Sequence, residues 1–307
     1  MSSWWSRNRQ LILQSVGTLL AFLLLFLLLK KEDGVGVLVA LGKIKLANLL
    51  WVALLFAISR VAVTGRWHVL LRSAGIKIPF KDSLSLTFMG LFATNFLPTT
   101  IGGDVVRLVR IMQMGYDRAV SLASLAADRL VGLAGMAMTV PIGIVDAWNI
   151  LPNVPISLSF LARFEKPLAF FKRTLASFSI WFRKPTSLLA ALAFTWIHML
   201  CLFGSIYIFV ADLGGHASFW TIAGIWSVTY FITLLPISIN GYGVQEYVFA
   251  SLLSQVVGFV PSVAITIAVL IRAYFLVSSL PGALSLPSIL AALAKQKTVV
   301  SSPESLV

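Results

Sequence analysis

The sequence predicts an all-α, polytopic helical membrane protein, with about six full spans and two re-entrant broken-helix hairpins arranged as inverted repeats. Three observations carry that expectation. Of the 307 residues, 59% are apolar and 11% charged, with a mean hydropathy of +0.94. Soluble domains carry about 25% charged residues, so this chain has too few charges to cover a water-facing surface. Apolar runs of span length recur along it. Two segments, Asn95–Ile111 and Leu234–Phe249, interrupt apolar sequence with proline, glycine and charge.

Leu11–Leu29 is nearly unbroken apolar sequence behind Arg7 and Arg9. Those features also suit a signal peptide. The charged Lys30-Lys31-Glu32-Asp33 follows in place of a small-residue cleavage site, so the segment reads as a retained span. Ala47–Val63 is the second span, and Arg60, Arg66 and Arg72 are assigned to the cytoplasmic side at its end. Leu84–Leu97 is too short to cross. Ala119–Ile144 is the third span. Asp146–Ala162, interrupted by Pro152 and Pro155, crosses back with the help of tilt or local thinning. The basic run Arg163–Lys184 reads as an amphipathic linker on the membrane surface. Ser187–Val210 and Ser262–Leu280 are the last full spans, and Trp220–Leu235 between them is marginal. The chain is thus one membrane domain over 1–307. Residues 10–145 form the first repeat unit, 146–186 a connecting span and basic cytoplasmic linker, 187–290 the second, inverted unit, and 291–307 a disordered tail.

Lys and Arg are retained in cytoplasmic loops, and this sets the orientation. With the N-terminus inside and both broken segments re-entrant, 16 of the 24 Lys and Arg lie inside. Lys30, Lys31, Lys43 and Lys45 lie outside, while Arg107, Arg110, Arg129 and Arg272 sit at membrane depth. A rival in which both broken segments cross gives 13 inside and 7 outside. The first arrangement puts both termini in the cytoplasm. The net charge of +13 then orients the chain and attracts anionic headgroups; no nucleic acid is expected as a partner. Trp4, Trp5, Trp51, Trp67, Trp148, Trp181 and Trp220 fall near span ends, where interface anchors sit.

The two broken segments echo each other. Pro98 is followed five residues on by Gly103, and Pro236 five residues on by Gly241. An acid follows each, Asp104 and Glu246, and an arginine stands in the next apolar span, Arg129 and Arg272. Proline removes a backbone donor and glycine permits unusual dihedrals, so the helix breaks there. The freed N–H and C=O groups are tolerated only inside protein or beside a watery cavity. A new helix is expected to start near Gly102-Gly103, and its free N–H groups attract anions, phosphate included. Arg107 and Arg110 lie three apart, on one helical face, and arginine forks match phosphate. Asp104 can cap the new helix or pair an arginine.

Other chemistry is thin. Cys201 stands alone, and no histidine has a second ligand at metal spacing. No Walker-type sequence occurs, and Gly241-Tyr242-Gly243 is too short for a dinucleotide fingerprint. No cofactor is expected. His198, in an apolar span, reads as a polar contact between helices rather than a proton relay.

At Asn95, Pro98, Gly102-Gly103-Asp104, Arg107 and Asp128-Arg129, and again at Pro236, Gly241, Gly243, Glu246 and Pro281-Gly282, the chain resembles the lysylphosphatidylglycerol synthase transmembrane-region family, flippase-like integral membrane proteins. The resemblance covers roughly residues 10–290. It implies a polytopic protein of a bacterial inner (plasma) membrane, built of two inverted units with re-entrant segments. In lysylphosphatidylglycerol synthases this region moves the aminoacylated lipid between leaflets, and a separate soluble domain performs the aminoacyl transfer. Other members accompany envelope polysaccharide, hopanoid or polyprenyl-linked sugar pathways. The stretch after Leu280 is too short for a catalytic domain, so the expected role is movement of a lipid between leaflets for envelope biogenesis. That lipid would be an anionic phospholipid, an aminoacylated lipid or a polyprenyl-linked glycolipid, and no enzyme activity is expected. Arg107, Arg110, Arg129 and Arg272 would contact phosphate. Asp104, Asp128 and Glu246 would pair with them or bind a cationic head. Two alternatives stay open: a non-catalytic membrane partner of an envelope glycosyltransferase or lipid synthase, and a lipid-modifying transferase.

Overall fold

The computed structural model describes residues 39–96, 102–147, 184–234 and 238–285. Among these, every regular element is helical. The expected span Leu11–Leu29, the crossing beyond Ala147, the basic run up to Arg183, the tail, and both Pro98 and Pro236 lie outside the described residues.

After a short helical stretch at 39–43, eight α-helices follow in order among the described residues: α1 Leu46–Ser73, α2 Phe80–Phe96, α3 Gly102–Gln113, α4 Arg118–Ala147, α5 Pro185–Asp212, α6 Phe219–Thr233, α7 Val244–Leu252 and α8 Pro261–Val277. Among the described residues, four segments are long and apolar enough to cross a membrane: Leu46–Ser73, Arg118–Val145, Pro185–Asp212 and Pro261–Leu284. They correspond to four of the expected spans. α2 and α6 are the two shorter apolar helices that the sequence marked as too short or marginal.

α1 differs from its expected bounds in one important way. It does not stop at Val63 but runs on through Gly65-Arg66-Trp67-His68 to Ser73. Arg66 and Arg72 therefore lie within the helix rather than in a loop behind it, and Arg60, assigned to the cytoplasmic side, is only 4% exposed inside it. Leu46, Leu50, Leu54 and Val61 are exposed, while Val52, Phe56, Trp67, Leu70 and Leu71 are buried. An exposed apolar stripe of this kind suits a lipid-facing surface, where a soluble helix would present charge.

The described residues form two compact units, and neither follows chain order. One comprises 39–59, 133–147, 197–234 and 238–275; the other comprises 60–96, 102–132, 184–196 and 276–285. The first has a core of Phe203, Ile206, Phe209, Ile222, Trp226 and Phe249. In it α4 and α6 cross at Gly143 and Gly224, where a Cβ on either glycine would overlap the other's backbone. One turn away Thr139 and Ser227 share a hydrogen bond of 2.6 Å. Small residues at such crossings let helix backbones approach closely in a membrane.

The second unit packs Trp67, Leu71, Ile76, Leu86 and Ile111 together, with Leu70, Ala127, Val131 and Ala191 beside them. Its α2 and α3 form a closely packed hairpin. Gly103 lies directly against the Gly90 carbonyl, with no room for a Cβ. The new helix begins at Gly102, as the sequence predicts.

Candidate functional site

In the second unit, five charged side chains form one continuous chain. Arg66 on α1 donates its Nε to Asp128 Oδ1 at 2.6 Å. The other oxygen of Asp128 lies 3.5 Å from Arg107 Nη1. Arg107 donates its Nη2 to Asp104 Oδ1 at 2.5 Å. Asp104 Oδ2 in turn accepts from Arg129, at 2.9 Å from Nε and 2.8 Å from Nη2. Three arginines thus alternate with two carboxylates, one charge short of neutrality.

Local sequence explains each placement. Asp104 stands in the first turn of α3, where a negative charge complements the free N–H groups of the helix start. Arg107 follows three residues later, so the two side chains meet on one helical face. Gly90 on α2 makes space for it, since a Cβ there would sit 3.0 Å from Arg107 Cγ and Cδ. Gly132 on α4 does the same for Arg66, with Nη1 2.9 Å from the would-be Cβ. Trp67 lies under Arg107, its ring centroid 4.7 Å from the guanidinium carbon. Trp67 is fully buried, so it is no interface anchor; Trp51 and Trp220 are each about half exposed.

Exposure grades along the chain. Asp128 is 2% exposed and Arg129 50%. Burying several charges is costly unless each is paired and hydrogen-bonded, and here each carboxylate has two arginines. Arg110 does not join them: it donates to Gln113 Oε1 at 2.8 Å. Asn95 sits partly buried in the last turn of α2, and Gly102 and Gly103 are buried.

In the first unit, the second motif builds a smaller version. A 3-10 turn, Ile239–Gly241, precedes α7. Asn240, Gly241 and Gly243 have φ of 52°, 72° and 76°, a left-handed region that favours glycine. Glu246, in the first turn of α7, accepts from the Gly243 N–H at 2.7 Å and forms a short ion pair with Arg272 of α8. Arg272 also donates to Gln245 Oε1 at 2.8 Å and lies over the Tyr242 ring.

The two sites share a plan: an acid in the first turn of a short helix after a break, paired with an arginine 25 or 26 residues on. The sequence spacing pointed to both pairs. They differ where Phe249, a buried apolar residue, stands three after Glu246, in the place Arg107 takes after Asp104. Sequence reading missed Arg66, Trp67, Gln245 and Tyr242. Arg66 and Trp67 lay beyond the apolar run that marked the span. Tyr242 was visible only as part of a glycine turn.

Long apolar helices, with buried ion pairs at the starts of short ones, define a multi-pass helical membrane protein. The chain belongs to the lysylphosphatidylglycerol synthase TM region family, whose model matches residues 14–282. That family ties it to lipid-related membrane function. No curated protein matches the chain.

Proposed function

We propose that this protein moves a lipid with a phosphate-containing headgroup between the leaflets of a bacterial inner membrane, for envelope biogenesis and without catalysing a reaction. One observation carries the reading: three arginines and two aspartates sit in a largely buried chain at the start of a short helix. Ionisable groups in membrane-protein interiors are rare and mark pathways and sites. The network carries an excess positive charge at a helix N-terminus, a place suited to phosphate.

On this reading the half-exposed Arg129 meets the headgroup first. Phosphate competes with Asp104 for its guanidinium, while Arg107, seated over Trp67 and bound to both aspartates, stays in place. The Glu246–Arg272 pair serves the second broken segment in the same way, and the two segments enter the membrane from opposite faces. The substrate is an anionic phospholipid, an aminoacylated lipid or a polyprenyl-linked glycolipid, handed on by a glycosyltransferase or lipid synthase.

The test is reconstitution of purified protein into liposomes with fluorescent lipids over a panel of headgroups. Faster transbilayer exchange of a phosphate-bearing lipid, relative to empty liposomes, supports the proposal. Product formed from an activated donor would make the protein a transferase. If neither exchange nor product is seen, the protein is a partner of another envelope enzyme.

A further inference from the structure

The loop between α5 and α6 lines a cavity that the ion pairs do not use. Its volume is about 420 Å³, and its walls are Tyr207, Ala211, Gly215, His216, Ala217 and Ser218. That lies within the range of small-molecule sites, ~300–1,000 Å³. No Asp, Glu, Lys or Arg lines it, so it offers no fixed charge to a phosphate. It offers hydrogen bonds instead. The Tyr207 phenol and His216 imidazole make none to other described residues. Ser218 caps α6 by accepting from the Thr221 N–H at 3.0 Å and shares a second hydrogen bond, of 2.9 Å, with Thr221 Oγ1, which leaves its hydroxyl one further site.

The same loop offers ring faces. Tyr207 and Trp220 are 42% and 49% exposed. Both pack on Phe219, at centroid distances of 6.2 and 5.5 Å. The cavity lies at the end of the candidate span Pro185–Asp212, where aromatic rings commonly sit at headgroup level. Membrane anchoring accounts for an exposed Trp220. It does not account for a phenol, an imidazole and a hydroxyl gathered around one cavity.

We infer that this cavity binds an uncharged polyhydroxyl headgroup, a sugar carried on a lipid. The aromatic rings pack against the sugar's C–H face, while Tyr207, His216 and Ser218 bond its hydroxyls. This site shares no residue with the arginine network and does not depend on that network binding phosphate.

The test uses the full chain in phosphatidylglycerol nanodiscs loaded with monoglucosyl diacylglycerol or with diacylglycerol of the same chains. Bound lipid is read by native mass spectrometry. The glucosyl lipid should be retained about tenfold better, the effect of one or two hydrogen bonds. Tyr207→Ala with His216→Ala should abolish the difference, and Tyr207→Phe, which keeps the ring, should give an intermediate value. Free methyl glucoside at the same concentration should not displace the lipid. Equal retention of the two lipids, or an unchanged preference in the double variant, would overturn the inference. Displacement by free methyl glucoside would overturn its assignment to a lipid.

Discussion

Asp128 holds Arg66 and Arg107 at once, and Asp104 holds Arg107 and Arg129. Single substitutions should therefore have very unequal effects. Arg107→Ala leaves each aspartate one arginine, so the fold should survive while lipid exchange is lost. Asp128→Ala takes from Arg66 its aspartate in a buried place and should cost about 3 kcal/mol or more. Arg129→Ala, at a half-exposed end, should cost less than about 1 kcal/mol. Chemical unfolding in detergent checks the order; equal losses for Asp128→Ala and Arg129→Ala would contradict it. In the other unit, Glu246→Gln removes the charge that pairs Arg272 but keeps the shape. Transport should fall with a near-normal fold, and adding Arg272→Gln should restore part of it if pairing is the role. Lost activity that the double change does not mend assigns Glu246 to substrate or protons instead. Both acid–arginine pairs were legible in the sequence, because spacing from each break placed them alike. Arg66 was not, because a span boundary drawn by hydropathy stops at charge, and only a partner from another helix makes that charge tolerable inside. Nor was the fate of Arg110: sharing a helical face with Arg107 did not bring it to the same carboxylates.

The α2–α3 hairpin depends on backbone contact rather than side-chain fit. A Cβ at Gly103 would overlap the Gly90 carbonyl and Thr94 Oγ1. Gly103→Ala must therefore push the two helices apart, with a cost of roughly 1–3 kcal/mol and displacement of Asp104 and Arg107 from their partners. Gly204 in α5 is the matched control. A Cβ there meets Leu55 Cδ1 at an ordinary 3.6 Å, and alanine improves a helix interior by up to about 1 kcal/mol. Thermal unfolding of the two variants should move in opposite directions; a stabilised Gly103→Ala would contradict the hairpin contact. Helix positions were largely readable from apolar run length, since four expected spans match four helices. The extra turns of α1 were not, because the helix continues on buried contacts of Trp67, Leu70 and Leu71 after its hydropathy has dropped.

For the whole molecule, the charge distribution makes the first prediction. The arrangement that places 16 of 24 Lys and Arg inside by sequence, and 14 once Arg60 and Arg66 are moved into α1, predicts that both termini are cytoplasmic. A reporter fused after Val307 should signal from the cytoplasm. A periplasmic signal would remove the opposed entry of the two broken segments and with it the inverted repeat. The second prediction concerns what the buried charges are for. Liposomes holding equal amounts of folded wild-type protein, Arg107→Ala or Arg129→Ala, with a fluorescent phosphate-bearing lipid in one leaflet, separate a transport pathway from a structural staple. The wild type should speed exchange well above protein-free liposomes, and both variants should return it to that background while unfolding as folded proteins do. Exchange at the wild-type rate by a folded Arg107→Ala would contradict a phosphate-binding role for the network.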